Sequence, residues 1–384
     1  MGVKMSVARS MRRAQQTQDI LEAMARNNFD ELKRLARLPE GFVDDKLRQY
    51  VWPVLLHTQH GNYLAERGSE KDLADPVQIT KDVERSLYYY PQGSFTINSE
   101  FGDPIIRKYN QLTKQNSQKD ITPMLKAHKQ QELHCMIVEI LWRNPALKYY
   151  QGFHDICTCF LLVLGKKAAI PAAENVALFF IRDAMLDSFE PVSKQLRLMS
   201  SLIEYEDPEL TLFLEKANIM PYYALSWILT WFSHDFEAYE KVVRLFDVFI
   251  SSQSIMPVYI ASAMTLLRRN EILKAEKDLV HSLITRIPQD MDIELIIQKA
   301  GLLEKKYPVL QLQKQSGIWL HNESVINTWE RDWGRLKWGQ VPDQLQANRY
   351  LSHQVEKEEW EDEMLMEWTR RRRGSIEDDA DFMF

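Results

Sequence analysis

An arginine and a glutamine set in short motifs are candidates for handling charge and water at a phosphate. They are Arg85, in Ile79-Thr-Lys-Asp82-Val-Glu-Arg85, and Gln151, in Tyr149-Tyr-Gln151-Gly152. A guanidinium is always charged and forks onto phosphate oxygens, which lysine cannot copy. A carboxamide accepts and donates at once, so it can hold a water while bonding a phosphate oxygen. Each residue also has a plainer reading. Arg85 stands three residues after Asp82, a helical spacing at which surface ion pairs form and contribute little. Gln151, between Tyr150 and Gly152 at a helix start, could be a capping or turn residue.

The elements that must position them are helices. Apolar residues recur at spacings of three and four, and alternating strand-like runs are scarce, which predicts an irregular all-α fold. One helix is expected over 17–38, ending at Pro39-Glu40-Gly41. Asp44 then caps a helix that turns Leu47, Val51, Leu55 and Leu56 inward. A loop is expected over 61–75. Further helices are expected at 105–115, 123–142, 150–164, 173–185, 192–205, 208–216, 222–231, 238–250, 257–267, 277–287 and 292–305. No period repeats through them, which disfavours a solenoid. From Trp319 onward Trp329, Trp333 and Trp338 recur among Arg and Lys, and blocks of like charge follow. The division expected is a helical extension over 1–40, a compact domain over 41–314, and an amphipathic, acidic tail over 315–384.

With 45% hydrophobic and 27% charged residues, the chain has the composition of a globular protein. Its net charge of −6 lies wholly in residues 354–384, leaving 43 acidic against 43 basic residues elsewhere. No phosphate-tracking surface is apparent, so no nucleic-acid partner is expected. The three cysteines suit a reducing compartment. His154, Cys157 and Cys159, with His134 and Cys135, could be drawn as a zinc site. The C-x-C spacing is wrong for a zinc ribbon and the surroundings are apolar, so buried free thiols are expected instead. No secretory h-region follows the basic N-terminus, and the longest apolar run, Ile156 to Leu164, is about half a membrane span. A cytoplasmic protein, soluble or peripheral to membranes, is expected. Phosphate-loop, dinucleotide-binding, zinc-protease and serine-nucleophile motifs are all missing. No cofactor and no hydrolase activity of its own are expected; catalysis would take place on another protein's site.

A third motif gives the first two a context. Arg48-Gln-Tyr-Val-Trp52-Pro53 reads R-x-x-x-W-P, and it precedes I-x-x-D-x-x-R and Y-x-Q-G in order. The ordered set resembles the signature of the TBC domain of Rab GTPase-activating proteins. Trp227, Trp231-Phe232 and Arg244-Leu-Phe-Asp247 resemble its later landmarks, so the resemblance covers roughly 41–267. The run from Asn144 to Asp155, with Met256-Pro257-Val-Tyr and Ile287-Pro-Gln-Asp290, is similar to one branch of that family.

The resemblance implies that a Rab GTPase in its GTP form is the partner and that it holds the GTP and Mg²⁺. It implies an arginine finger, Arg85, and a glutamine finger, Gln151, with Asp82 orienting Arg85. Ile79, Trp52 and Tyr149 are expected to pack, Arg48 to hold its loop, and Gly152 to complete the glutamine motif. The resemblance further implies traffic between endoplasmic reticulum and Golgi. A catalytically silent TBC scaffold is the alternative. The resemblance to that branch implies a hydrophobic C-terminal anchor, which is not expected of the amphipathic, charged stretch from Trp319 to Lys337. Two substitutes are open: acylation of Gly2 in Met1-Gly2-Val-Lys-Met-Ser6 beside Arg9, Arg12 and Arg13, or an interfacial helix over 329–338, a stretch that is expected rather to pack back onto the domain.

Overall fold

The computed structural model describes residues 2–59, 76–87 and 121–355. The expected loop at 61–75, the helix at 105–115 and the charged blocks beyond 355 lie outside them. The described residues are helical, with no strand among them.

The chain opens on α1 (Gly2–Ala25) and α2 (Phe29–Arg37), not on the single helix expected over 17–38. The break falls at Asn27, which is left-handed (φ 51°), and Asn28 then caps α2 by accepting from the Glu31 N–H. Asparagine suits both positions because its short amide tolerates αL and bonds nearby backbone. Both helices bury apolar residues, Ile20, Leu32 and Leu35 among them, in the common core. Residues 1–40 are therefore not a separate extension. Asp44 caps α3 (Asp45–Leu55) as expected, accepting from the Leu47 N–H.

After α4 (Pro76–Glu84) and α5 (Ile121–Arg143) come α6 (Phe153–Leu164) and α7 (Lys166–Phe179), parted by Gly165. α7 starts ahead of its expected position because Pro171 lies inside the helix, and it ends before a 3-10 turn at Arg182–Met185. The series continues through α8 (Glu190–Glu206), α9 (Pro208–Lys216), α10 (Leu225–Leu229) and α11 (Tyr239–Phe249). It goes on through α12 (Met256–Leu267), α13 (Arg269–Leu273), α14 (Lys277–Thr285) and α15 (Ile293–Lys306). Last come α16 (Val309–Ser316), α17 (Val325–Trp329) and α18 (Gln344–Val355).

α6, α7 and α12 are buried on nearly every face, as helices apolar all round must be. Cys157 and Cys159 lie inside α6, whereas Cys135 is exposed, against the expectation of buried thiols throughout. Aromatic rings form a continuous seam. Trp52 meets Phe160 and Phe246 (centroids 5.5 and 6.1 Å), Phe246 meets Trp231 (5.2 Å), and Trp231 meets Phe180 (6.0 Å). Phe180 then meets Trp333 at 5.1 Å.

That last contact corrects the expected boundary at 314, which falls inside α16. Trp333 is 1% exposed, and Ile318, Leu320, Val325, Ile326 and Trp329 are buried with it. Asp183, fully buried, accepts from the Ser324 hydroxyl and the Val325 N–H. The segment 318–333 packs back onto the domain as a strap closing the core.

Candidate functional site

α4 presents two faces. Ile79, Asp82 and Val83 point into the protein, one helical face by their spacing, while Val77, Lys81 and Glu84 are exposed. Arg85 is the first residue past the helix, exposed, with its N–H on the Lys81 carbonyl (3.3 Å). Carbonyls at a helix end lack partners within the helix. Here Gln130 of α5 supplies them, donating to Val83 O (3.1 Å) and Glu84 O (2.9 Å). Ser86 adds its hydroxyl to Val83 O at 2.7 Å. The guanidinium thus stands on a pinned turn.

Gln151 sits on the turn that opens α6 and is exposed. Its neighbours are fixed. Tyr150 donates its hydroxyl to Leu229 O at 2.7 Å, and the Phe153 and Asp155 N–H groups close the turn onto Tyr150 O and Gly152 O (3.2 and 3.0 Å). Gly152 has φ +127°, and a Cβ there would lie 3.0 Å from Thr230 Cγ2, so glycine alone suits the position. Upstream, Asn144 caps α5 through Ile140 O (2.9 Å) and the Lys148 N–H reaches Met185 O (2.8 Å).

The two turns are joined through Asp82, which is 2% exposed. Tyr149 donates its hydroxyl to Asp82 Oδ2 at 2.9 Å, and Gln78, one helical turn back, donates to Oδ1 at 2.8 Å. Burial, with the Asp82 charge behind it, pushes the Tyr149 hydroxyl far above its ordinary pKa, so it stays a donor. Asp82 meets these two partners and not the Arg85 side chain itself. No hydrogen bond or ion pair joins the two among the described residues; the carboxylate is buried and both its oxygens are engaged, while Arg85 lies outside the helix end. Through Tyr149, Asp82 ties the arginine-bearing helix to the glutamine-bearing turn. Sequence reading missed Gln130 and Gln78. The i, i+4 spacing of Gln78 and Asp82 is a usable signal for the second; nothing local marks Gln130.

The first motif is a buttress. Arg48 forks onto Asp247 (Nε–Oδ1 3.0 Å, Nη2–Oδ2 2.9 Å) and reaches Asp45 (2.9 Å). Asp247, fully buried, also accepts from Trp52 Nε1 (2.8 Å) and the Phe42 N–H (3.2 Å). A buried carboxylate this fully satisfied keeps its charge cheaply only while every partner stays. Gly41 (φ +48°) is packed against it; a Cβ there would lie 2.6 Å from Asp247 Oδ2. Through the Trp52–Phe160 contact and the Gln49–Val163 O bond (2.9 Å), α3 steadies the helix whose first turn follows Gln151. Ile79, fully buried, does the same for α4.

Among the described residues no group of three or more His, Cys, Asp or Glu side chains could hold a metal ion. No described helix is long and apolar enough to cross a membrane.

The sequence profile of the Rab-GTPase-TBC domain matches residues 45–273, which contain all three motifs. The chain is 31% identical over 323 residues to bovine TBC1 domain family member 20, covering 83% of this chain and 73% of that protein. It is 31% identical over 290 residues to the GTPase-activating protein gyp10 of Schizosaccharomyces pombe, covering 73% and 69%. Among solved structures, the Ypt/Rab-GAP domain of Gyp1p aligns with a TM-score of 0.49 at 17% identity, over 73% of this chain and 94% of that one. On the profile match and these identities, the chain belongs to the RabGAP-TBC family, the proteins built on a Rab-GTPase-TBC domain.

Proposed function

We propose that this protein accelerates GTP hydrolysis on a Rab-family GTPase in its GTP form by inserting Arg85 and Gln151 into the partner's nucleotide site. The observation that carries the reading is a pair of exposed polar side chains on two pinned turns, with the turns tied together by the Tyr149–Asp82 bond. Hydrolysis builds negative charge on the γ-phosphate and needs a water held in line. An arginine supplied in trans typically speeds the reaction about 10³–10⁵-fold. Gln151 holds the water in place of the GTPase's own glutamine. The partner brings GTP and Mg²⁺. On the branch resemblance we place the activity in traffic between endoplasmic reticulum and Golgi, with peripheral attachment to membranes.

The test is phosphate release from a panel of GTP-loaded Rabs, with and without the protein. On a responsive Rab, Arg85→Ala should remove nearly all stimulation and Arg85→Lys should restore little, since the fork is lost. Gln151→Ala should be nearly as damaging. A Rab mutated at its own switch glutamine should still respond to the wild-type protein. Arg85→Ala with most of its activity intact overturns the arginine finger. A wild-type protein that binds Rabs and stimulates none is the silent scaffold.

A further inference from the structure

The glutamine turn is gripped from a second side by the turn that follows α10. Trp231 and Phe232 there have φ of 52° and 64°, a region costly for large side chains, and both rings are buried. Such strain persists only where the surroundings over-determine it. The turn meets the Gln151 segment at three points: Leu229 O takes the Tyr150 hydroxyl, Thr230 packs on Gly152, and His234 Nδ1 lies 3.2 Å from Asp155 Oδ2. Asp155 is in the first turn of α6, where its charge also suits the helix N-terminus. Thr230 Oγ1 accepts from the His234 N–H (3.4 Å), and Gln289 donates to Asp235 O (2.9 Å), so the turn is held from behind. The His234 side chain is 58% exposed while Asp155 is 16% exposed. An exposed imidazole clamped on a sheltered carboxylate contributes little to the core.

We propose that His234 is a positioning residue for Gln151, its ion pair with Asp155 fixing the first turn of α6 and with it the turn that presents the glutamine. This inference rests on the glutamine-finger reading above. The charged and titratable groups facing the imidazole are Asp155, with His154 beyond it (Nε2–Oδ1 3.4 Å), and Asp235 on its own turn. The hydrogen bond to Asp155 raises the pKa of His234 above its ordinary 6.5, against the effect of burial. Burial raises Asp235 to about 6. At pH values above that, Asp235 adds a second negative charge beside the imidazolium. The clamp is therefore strongest while His234 is protonated and weakens as pH rises past its raised pKa.

The experiment measures kcat and KM for stimulated hydrolysis on a responsive GTP-loaded Rab from acidic to alkaline pH, with the Rab's intrinsic rate subtracted. His234→Ala should lower kcat about tenfold at pH near the imidazole's ordinary pKa, a modest share of what misplacement of a reacting group can cost. KM and the thermal midpoint should stay close to wild type. The wild-type advantage over His234→Ala should shrink toward unity in alkali. His234→Lys, which keeps a cation within reach of Asp155, should retain activity and flatten the profile. Equal kcat for wild type and His234→Ala in acid, or a ratio that does not move with pH, overturns the inference. If Arg85→Ala abolishes stimulation while the His234 variants are silent, the positioning role alone fails. If wild type stimulates no Rab, the function proposed above fails first.

Discussion

Replacing Tyr149 by Phe removes one atom from the bond that ties the two turns together and leaves the ring in place. The hydroxyl lost is the donor at 2.9 Å to Asp82 Oδ2, and the carboxylate it leaves is 2% exposed with Gln78 as its remaining partner. A hydrogen bond to a charged group contributes about 1.5–3 kcal/mol, and a buried acceptor left unpaired keeps its desolvation cost. A stability loss of about 2 kcal/mol in denaturant unfolding is expected on that basis. The rate should fall further than the folded fraction, because the Arg85 and Gln151 turns lose their common anchor. The decisive measurement is a double-mutant cycle of Tyr149→Phe with Asp82→Ala, read both in stability and in stimulated hydrolysis at saturating Rab. Coupling should appear in both, since the partners are in direct contact. Strictly additive losses, or a Tyr149→Phe protein that matches wild type in both readouts, would refute the idea that this bond joins the turns.

Trp52→Ala should act through stability, costing about 3–5 kcal/mol for the lost ring, with residual specific activity in whatever folds; a fully stable but inactive variant would place Trp52 at the partner surface. His57, wedged between the rings of Phe29 and Trp333 (4.9 and 5.0 Å), is pushed by burial from 6.5 down to about 4. The folded state therefore holds it neutral while the unfolded chain takes a proton, so stability is intact above 6.5 and declines as pH falls toward 4. The loss should reach about 3 kcal/mol, and an unchanged slope in His57→Asn would assign the acid sensitivity elsewhere. Ending the chain after Lys314 should abolish soluble expression, because it bares Phe179 and Phe180 and removes the Ser324 and Val325 partners of Asp183; a soluble, cooperatively melting 1–314 protein would show that the strap is dispensable.

Most helices were legible because each needs only its own period and caps. Pro208–Lys216 follows Asp207, which caps it, and Asp292 caps the helix that begins at Ile293. The misreadings have a common origin in tertiary context. Asn27-Asn28 is a break that propensity alone does not separate from a polar helix surface, and Pro171 sits inside a helix. Trp329 and Trp333 look exposed in sequence because their rings alternate with charges. They are buried because Phe179, Phe180 and His57, distant in the chain, form the wall they close. For the same reason the motifs named Arg85, Gln151, Asp82 and Tyr149 without showing that Tyr149, 67 residues on, donates to Asp82. Motif order tells which residues gather; it carries no information on which atoms meet.

Two of the buried carboxylates, Asp247 and Asp82, show two uses of one device. Asp247 gathers Arg48, Trp52 and the Phe42 N–H inside the scaffold, and its partners are all buried or backbone. Replacing such a network by apolar groups of matching shape is often neutral for stability. Its use here is directional, since a fork fixes the angle between α3 and α11 where apolar contact would let them slide. Asp82 applies the same directionality at the edge of the fold, where its partners lie beside exposed residues on two different elements. An exposed long side chain loses rotamer freedom on docking, about 0.5–1.5 kcal/mol each. If the backbones beneath Arg85 and Gln151 also had to be ordered, each residue fixed would cost a further ~1–2 kcal/mol. Gln130, Tyr149, Tyr150 and Gly152 fix those backbones during folding, so that on the proposed function only the two side chains remain to be ordered when the GTPase arrives.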